Sequence, residues 1–159
     1  MHTIDVLHYG HLTVVHALDQ LPNADWLTPN VCGVWSVKEI IAHLSSFELA
    51  LADVWRVAQG EPTAGLLADL LRDGQAFNDA QVPARAGLSP ADTRAEYEAA
   101  HQAAMQGAVG LPPASFRQTG FLPEYGDAYD LEDFLAYTYY GHKREHSAQI
   151  AVFRDSIRR

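Results

Sequence analysis

Tyr139-Tyr140-Gly141-His142-Lys143-Arg144-Glu145-His146 carries two histidines four residues apart. On an α-helix that spacing stacks both imidazoles on one face, about 6 Å apart along the axis, close enough to share one metal ion. The stretch lies inside a longer pattern. Leu131, Leu135, Thr138, His142, His146, Gln149 and Phe153 recur at steps of three and four, which is the inward stripe of an amphipathic helix. The stripe is apolar at both ends and polar in the middle. Buried polar groups without partners cost about 2 kcal/mol or more each, so four in succession on a core face predict a site.

Working outward, the chain divides into helices with legible starts and stops. A first helix is expected over residues 3–21, with Ile4, Leu7, His11, Val14, Leu18 and Leu21 as its stripe. Pro22, Asn23, Pro29 and Asn30 mark a loop. Ser36 followed three residues later by Glu39 is a capping box, with Val34 or Trp35 as a staple. The helix it opens runs through Ile40, Leu44, Phe47, Leu51 and Val54 to about residue 58, where Gly60 and Pro62 stop it. Residues 64–80 read as a lesser helix around Leu66, Leu67, Leu70 and Leu71, and 82–87 as a break. Ser89-Pro90 starts an alanine-rich helix that ends near Gly110, ahead of Pro112-Pro113. Residues 116–129 are rich in glycine, proline and aromatics without helical period. Asp130 and Asp133 then cap the last helix, which extends to about residue 157. Four long helices with single apolar faces, two long connections and almost no strand signal predict an all-α four-helix bundle, one domain over residues 1–159.

Charge excludes one class of function. Twenty acidic against 11 basic residues give a net charge of −9, and no lysine–arginine cluster exists to meet phosphates, so a nucleic-acid partner is not expected. No apolar run approaches the roughly 18 residues of a membrane span, and the N-terminal residues lack the pattern of a signal peptide. Cys32 is the single cysteine, which fits a reducing cytoplasm.

Two ligands on one helix need a third from elsewhere. His43 falls on the core edge of the second helix between Ile40 and Phe47, about two turns from its cap. Three neutral imidazoles with open positions are the donor set of a catalytic divalent ion, with zinc or nickel first and iron third. Glu39, one turn before His43, is placed to orient it, and Thr138, Tyr139 and Gln149 are placed to do so for the pair on the last helix. His11 occupies a stripe position that a hairpin of the first two helices would bring to the depth of His43. It reads as a core histidine or pocket-wall donor ahead of a fourth ligand. His101 lies on a stripe of ambiguous direction, Cys32 reads as an inert half-buried thiol, and Tyr125 and Tyr129 belong to a connection long enough to act as a lid.

Trp35-Ser36-Val37-Lys38-Glu39 with His43, followed about a hundred residues later by Tyr140, His142, Glu145, His146, Gln149 and Ile150 in the order Tyr-x-His-x-x-Glu-His-x-x-Gln-Ile, resembles the DinB-like superfamily. Its members are four-helix-bundle proteins described as damage-inducible stress proteins and as metalloenzymes. The resemblance implies a bundle with one long crossover connection, His43, His142 and His146 as metal ligands and, in many members, a homodimer. Characterised relatives include S-transferases and isomerases acting with low-molecular-weight thiols such as bacillithiol or mycothiol. Two classes of function follow. One is a cytoplasmic metalloenzyme acting on a small-molecule substrate through an activated water or thiol. The other is a non-catalytic metal-binding stress protein whose site is saturated by a fourth ligand such as His11 or Glu39.

Overall fold

Helix starts follow the capping residues closely. In the computed structural model, which describes residues 2–158, Ser36 accepts the Glu39 amide while the Glu39 carboxylate takes the Ser36 N–H, opening α2 (Val37–Ala58). Ser89 caps α5 (Pro90–Val109), and Asp130 and Asp133 cap each other at the start of the last helix. α1 covers Thr3–Leu18, shorter than expected, because the chain turns at Gln20, where φ is +58°, into a 3₁₀ turn at Asn23–Leu27.

The crossover differs from its reading in two places. The expected helix at 64–80 is two helices, α3 (Gly65–Arg72) and α4 (Gly74–Ala84). Asp73 separates them: its backbone is extended, and its carboxylate accepts the Gln75 and Ala76 amides at 3.0 Å, restarting the helix. The expected break at 82–87 begins later, because Val82 is buried and Pro83 sits in the last turn of α4. Arg85 stabilises that end by donating to the Gln81 carbonyl at 2.9 Å and pairing with Glu96 at 2.8 Å. α3 is tied to α2 by Asp53, whose carboxylate accepts the Leu67 amide. Gly65 makes the approach feasible, since a Cβ there would stand 2.6 Å from Asp53 Oδ2.

The last helix runs unbroken as α6 (Leu131–Phe134), a π-helical segment (Leu135–Gly141) and α7 (His142–Ile157). The wider π turn advances fewer degrees per residue, so two neighbouring rows face inward where the uniform stripe offered one. Tyr139, Lys143, Ser147 and Ile150 are buried beside His146, while Thr138, His142 and Gln149 are half-buried.

Contacts along the helices set their directions. Thr3 meets Glu132, Thr13 meets Ser147 and the His16 carbonyl meets Arg154, so α1 and α7 run parallel. Glu48 meets His101 and Trp55 meets the Ala104 carbonyl, so α2 and α5 run parallel too. Each of α1 and α7 packs on a member of the other pair, which leaves α1 and α2 diagonal. The hairpin expected to bring His11 to His43 is therefore not formed. Parallel neighbours need a connection as long as the helix, about 33 Å for α2's 22 residues, and α3 and α4 supply it along α2. Among the described residues the only extended pairing is an isolated bridge between Cys32 and Trp35, and no helix is long and apolar enough to cross a membrane.

Candidate metal centre

His43 enters from α2 and His142 and His146 from α7, and their ring nitrogens converge. Nε2 of His142 lies 2.8 Å from Nε2 of His43 and 3.0 Å from Nε2 of His146. At that range the nitrogens share either ring protons or a cation. The cluster's three ligand atoms all lie within 4.8 Å of one another, so the residues present fit a single bound ion. His43 and His146 are buried and His142 is half-buried, which makes His142 the edge of the site nearest solvent.

Burial keeps the rings neutral and their lone pairs available. It pushes His43 down to about 3, helped by His146, and His142 down to about 2, helped by His43 and His146. His146 is lowered by burial as well, with Gln149 and Glu145 acting against the shift.

The outer nitrogens are held differently from one another. His146 donates from Nδ1 to Gln149 Oε1 at 2.8 Å, which leaves Nε2 as the lone-pair nitrogen. For His43 the neighbour is Asn78 of α4, a residue the sequence reading did not single out. Nδ1 of His43 and Oδ1 of Asn78 are both buried without another partner, and the amide is the group that acts to raise the His43 pKa. Trp35 and Phe47 pack on the His43 ring at 4.9 and 4.8 Å between centroids. Cys32 is half-buried beside Gln149, one side chain removed from His146, and burial pushes its thiol up.

The remaining sequence candidates have other partners. Glu39 is committed to the Ser36 amide and hydroxyl. Thr138 lies beside the Tyr125 hydroxyl. Tyr139 is buried against Phe47 and Phe134, its hydroxyl near Glu48 and raised well above its ordinary value, chiefly by burial. His11 stacks on His101 at 3.9 Å and meets the Tyr97 hydroxyl at 3.2 Å.

These last contacts belong to a second polar cluster, in which all four main helices meet. Glu48 is fully buried, with His101 Nδ1 at 3.0 Å and Lys143 Nζ at 2.5 Å. The Lys143 contact is charge against charge rather than an aligned hydrogen bond. Burial by itself would raise Glu48, but Lys143 and His101 bring it below the ordinary carboxylate value. Nothing in the sequence pairs Glu48 with Lys143. The available signal is Lys143 itself, a lysine next to the stripe residue His142 on the last helix.

A family model described as the DinB superfamily matches residues 11–150. Neither the curated proteins nor the solved structures contain a match to the chain.

Proposed function

The chain belongs to the DinB superfamily, and from that premise we propose that it is a metal-dependent enzyme whose His43, His142 and His146 hold one divalent ion beside a small-molecule substrate. The observation that carries the reading is the donor count. Three Nε2 atoms converge, and among the described residues no fourth histidine, cysteine, aspartate or glutamate joins them. A saturated site, as a non-catalytic stress or binding protein would use, needs a fourth ligand. Glu39 and His11, which could have supplied it, are engaged by Ser36 and by Tyr97 and His101.

A divalent ion in such a site acts as a Lewis acid and brings the pKa of a water or a low-molecular-weight thiol towards neutrality. The protein's own groups prepare the ground for it. Burial keeps the imidazoles unprotonated, Gln149 selects the tautomer of His146, and Asn78 stands ready to do so for His43. Trp35 and Phe47 pack on the His43 ring and Phe47 on His142 as well, which limits the access of bulk water to the nitrogens. Zinc or nickel suits the nitrogen donors best, with iron third.

A hydrolase and a thiol S-transferase differ in whether turnover needs an added thiol. Protein loaded with each ion, assayed on a panel of electrophiles with and without low-molecular-weight thiols, separates the two. Stoichiometric metal without turnover in either arm would leave the binding-protein reading in its place. The same proposal carries a cytoplasmic location, where Cys32 stays reduced, and a homodimer, for which sedimentation of the loaded protein is the check.

A further inference from the structure

At the start of the last helix, apart from the histidines, a concavity of about 330 Å³ is lined by Tyr125, Tyr129 and Tyr137. The preceding connection is shaped to present two of these rings. Gly120 donates to the Tyr129 carbonyl at 2.9 Å, Tyr129 to the Gly126 carbonyl at 3.2 Å, and Tyr125 to the Leu122 carbonyl at 3.0 Å. Gly126 has φ +133°, and a Cβ there would stand 3.0 Å from Tyr129 Cδ2, so glycine is what lets the ring lie against the backbone. The Tyr125 and Tyr129 rings are 5.3 Å apart and inclined at 58°, which makes a V-shaped notch. Phe134 backs Tyr125 at 4.9 Å, and Tyr137, 70% exposed on the π-helical segment, forms the third side.

Electrostatics select what such a notch can hold. Residues 118–137 contain five carboxylates and no lysine or arginine. Arg117 pairs with Asp130 and Glu132, at 3.3 and 3.2 Å, and makes no pair with Glu124, Asp127 or Asp133. The Asp133 charge acts on the Tyr125 hydroxyl. Anions are repelled from this surface. The tyrosine walls themselves offer a hard metal ion only neutral phenols, since burial, with Tyr129, Asp133 and Tyr137 nearby, pushes the Tyr125 phenol up. Weakly hydrated organic cations remain, since electron-rich ring faces attract them without deprotonation.

We propose that Tyr125, Tyr129 and Tyr137 form a binding site for the head group of a small quaternary or alkylammonium compound. The site lies outside the three-histidine centre and does not depend on the activity assigned to it.

Choline and its uncharged carbon isostere, 3,3-dimethylbutan-1-ol, are the probes, titrated at constant ionic strength into isotopically labelled full-length protein. The Gly120 and Gly126 amides serve as reporters by nuclear magnetic resonance. Choline should shift both amides saturably and the alcohol should not. Tyr137→Leu, at an exposed position where folding is not at risk, should weaken choline binding about two- to fivefold, as expected for one cation–π contact at a surface. Tyr125→Leu/Tyr129→Leu should abolish it, and Tyr9→Leu, at an unrelated exposed tyrosine, should leave it unchanged. Equal shifts from the alcohol, no saturable shift from choline, or full affinity in Tyr137→Leu would each overturn the proposal.

Discussion

Acid should destabilise the metal-free protein well before its carboxylates are protonated. His43 and His142 are neutral in the native state down to about 3 and about 2, because burial opposes their charging and the neighbouring imidazoles repel a second proton. In the unfolded chain both titrate near the ordinary value of about 6.5. A folded pKa below the unfolded one means that the contribution is intact above about pH 6.5 and is lost as pH falls towards the folded values. Each imidazole that only the unfolded chain protonates costs about 1.4 kcal/mol per pH unit. Between about pH 7 and about pH 5 the loss integrates to about 2 kcal/mol per ring, hence about 4 kcal/mol for the two. That is a large fraction of the roughly 5–15 kcal/mol that holds a domain folded. His146 and His11 are shifted in the same direction and add to it. Glu48 is a depressed carboxylate, whose contribution persists until pH falls below about 4.5, so it stays outside this window. Urea titrations of chelator-treated protein, followed by far-ultraviolet circular dichroism, should show the midpoint falling by about 2 M over that range if the m-value is about 2 kcal/mol/M. His43→Gln/His142→Gln should flatten the dependence. A midpoint that holds steady or rises on acidification would refute the reasoning.

Three further outcomes follow from the same geometry. Purified protein should hold about one divalent ion per chain; His142→Ala or His146→Ala should each remove it in elemental analysis, and His8→Ala should not. Gln149→Leu and Asn78→Leu should each weaken metal affinity about 10- to 100-fold in competition with a chromophoric chelator, as loss of an orienting partner does, and unchanged affinity in both would deny them that role. Lys143→Met should destabilise the fold by about 3–5 kcal/mol, because it strands the Glu48 carboxylate in the core; Glu48→Leu/Lys143→Met should recover most of the loss in the same urea assay.

Local rules carried most of the secondary structure. Ser36 with Glu39, Ser89 before Pro90, and Asp130 with Asp133 each satisfy amides that a helix start leaves free, and such chemistry acts within four residues of chain. The pairing of His142 with His146 is local in the same sense. Bringing His43 to them was legible only as the meeting of two polar breaks in apolar stripes, together with a family resemblance.

What the tertiary structure decided is which helices are neighbours and how each is turned. An amphipathic stripe says that a face is buried, not against what, so the sequence could offer His11 to His43 while the fold sets α1 and α2 diagonally and stacks His11 on His101. The π-helical turn at Leu135–Gly141 rotates Tyr139 and Lys143 inward, a change that no spacing in a uniform helix encodes. Lys143 can lie there because Glu48 from α2 meets it, and Asn78 neighbours His43 because the crossover folds back along α2. Helix caps and stripes were within the sequence's reach because their partners lie a turn away. Buried charge pairs and the outer contacts of the histidines were not, since each is stabilised by a partner tens of residues distant whose position depends on the packing of the whole bundle.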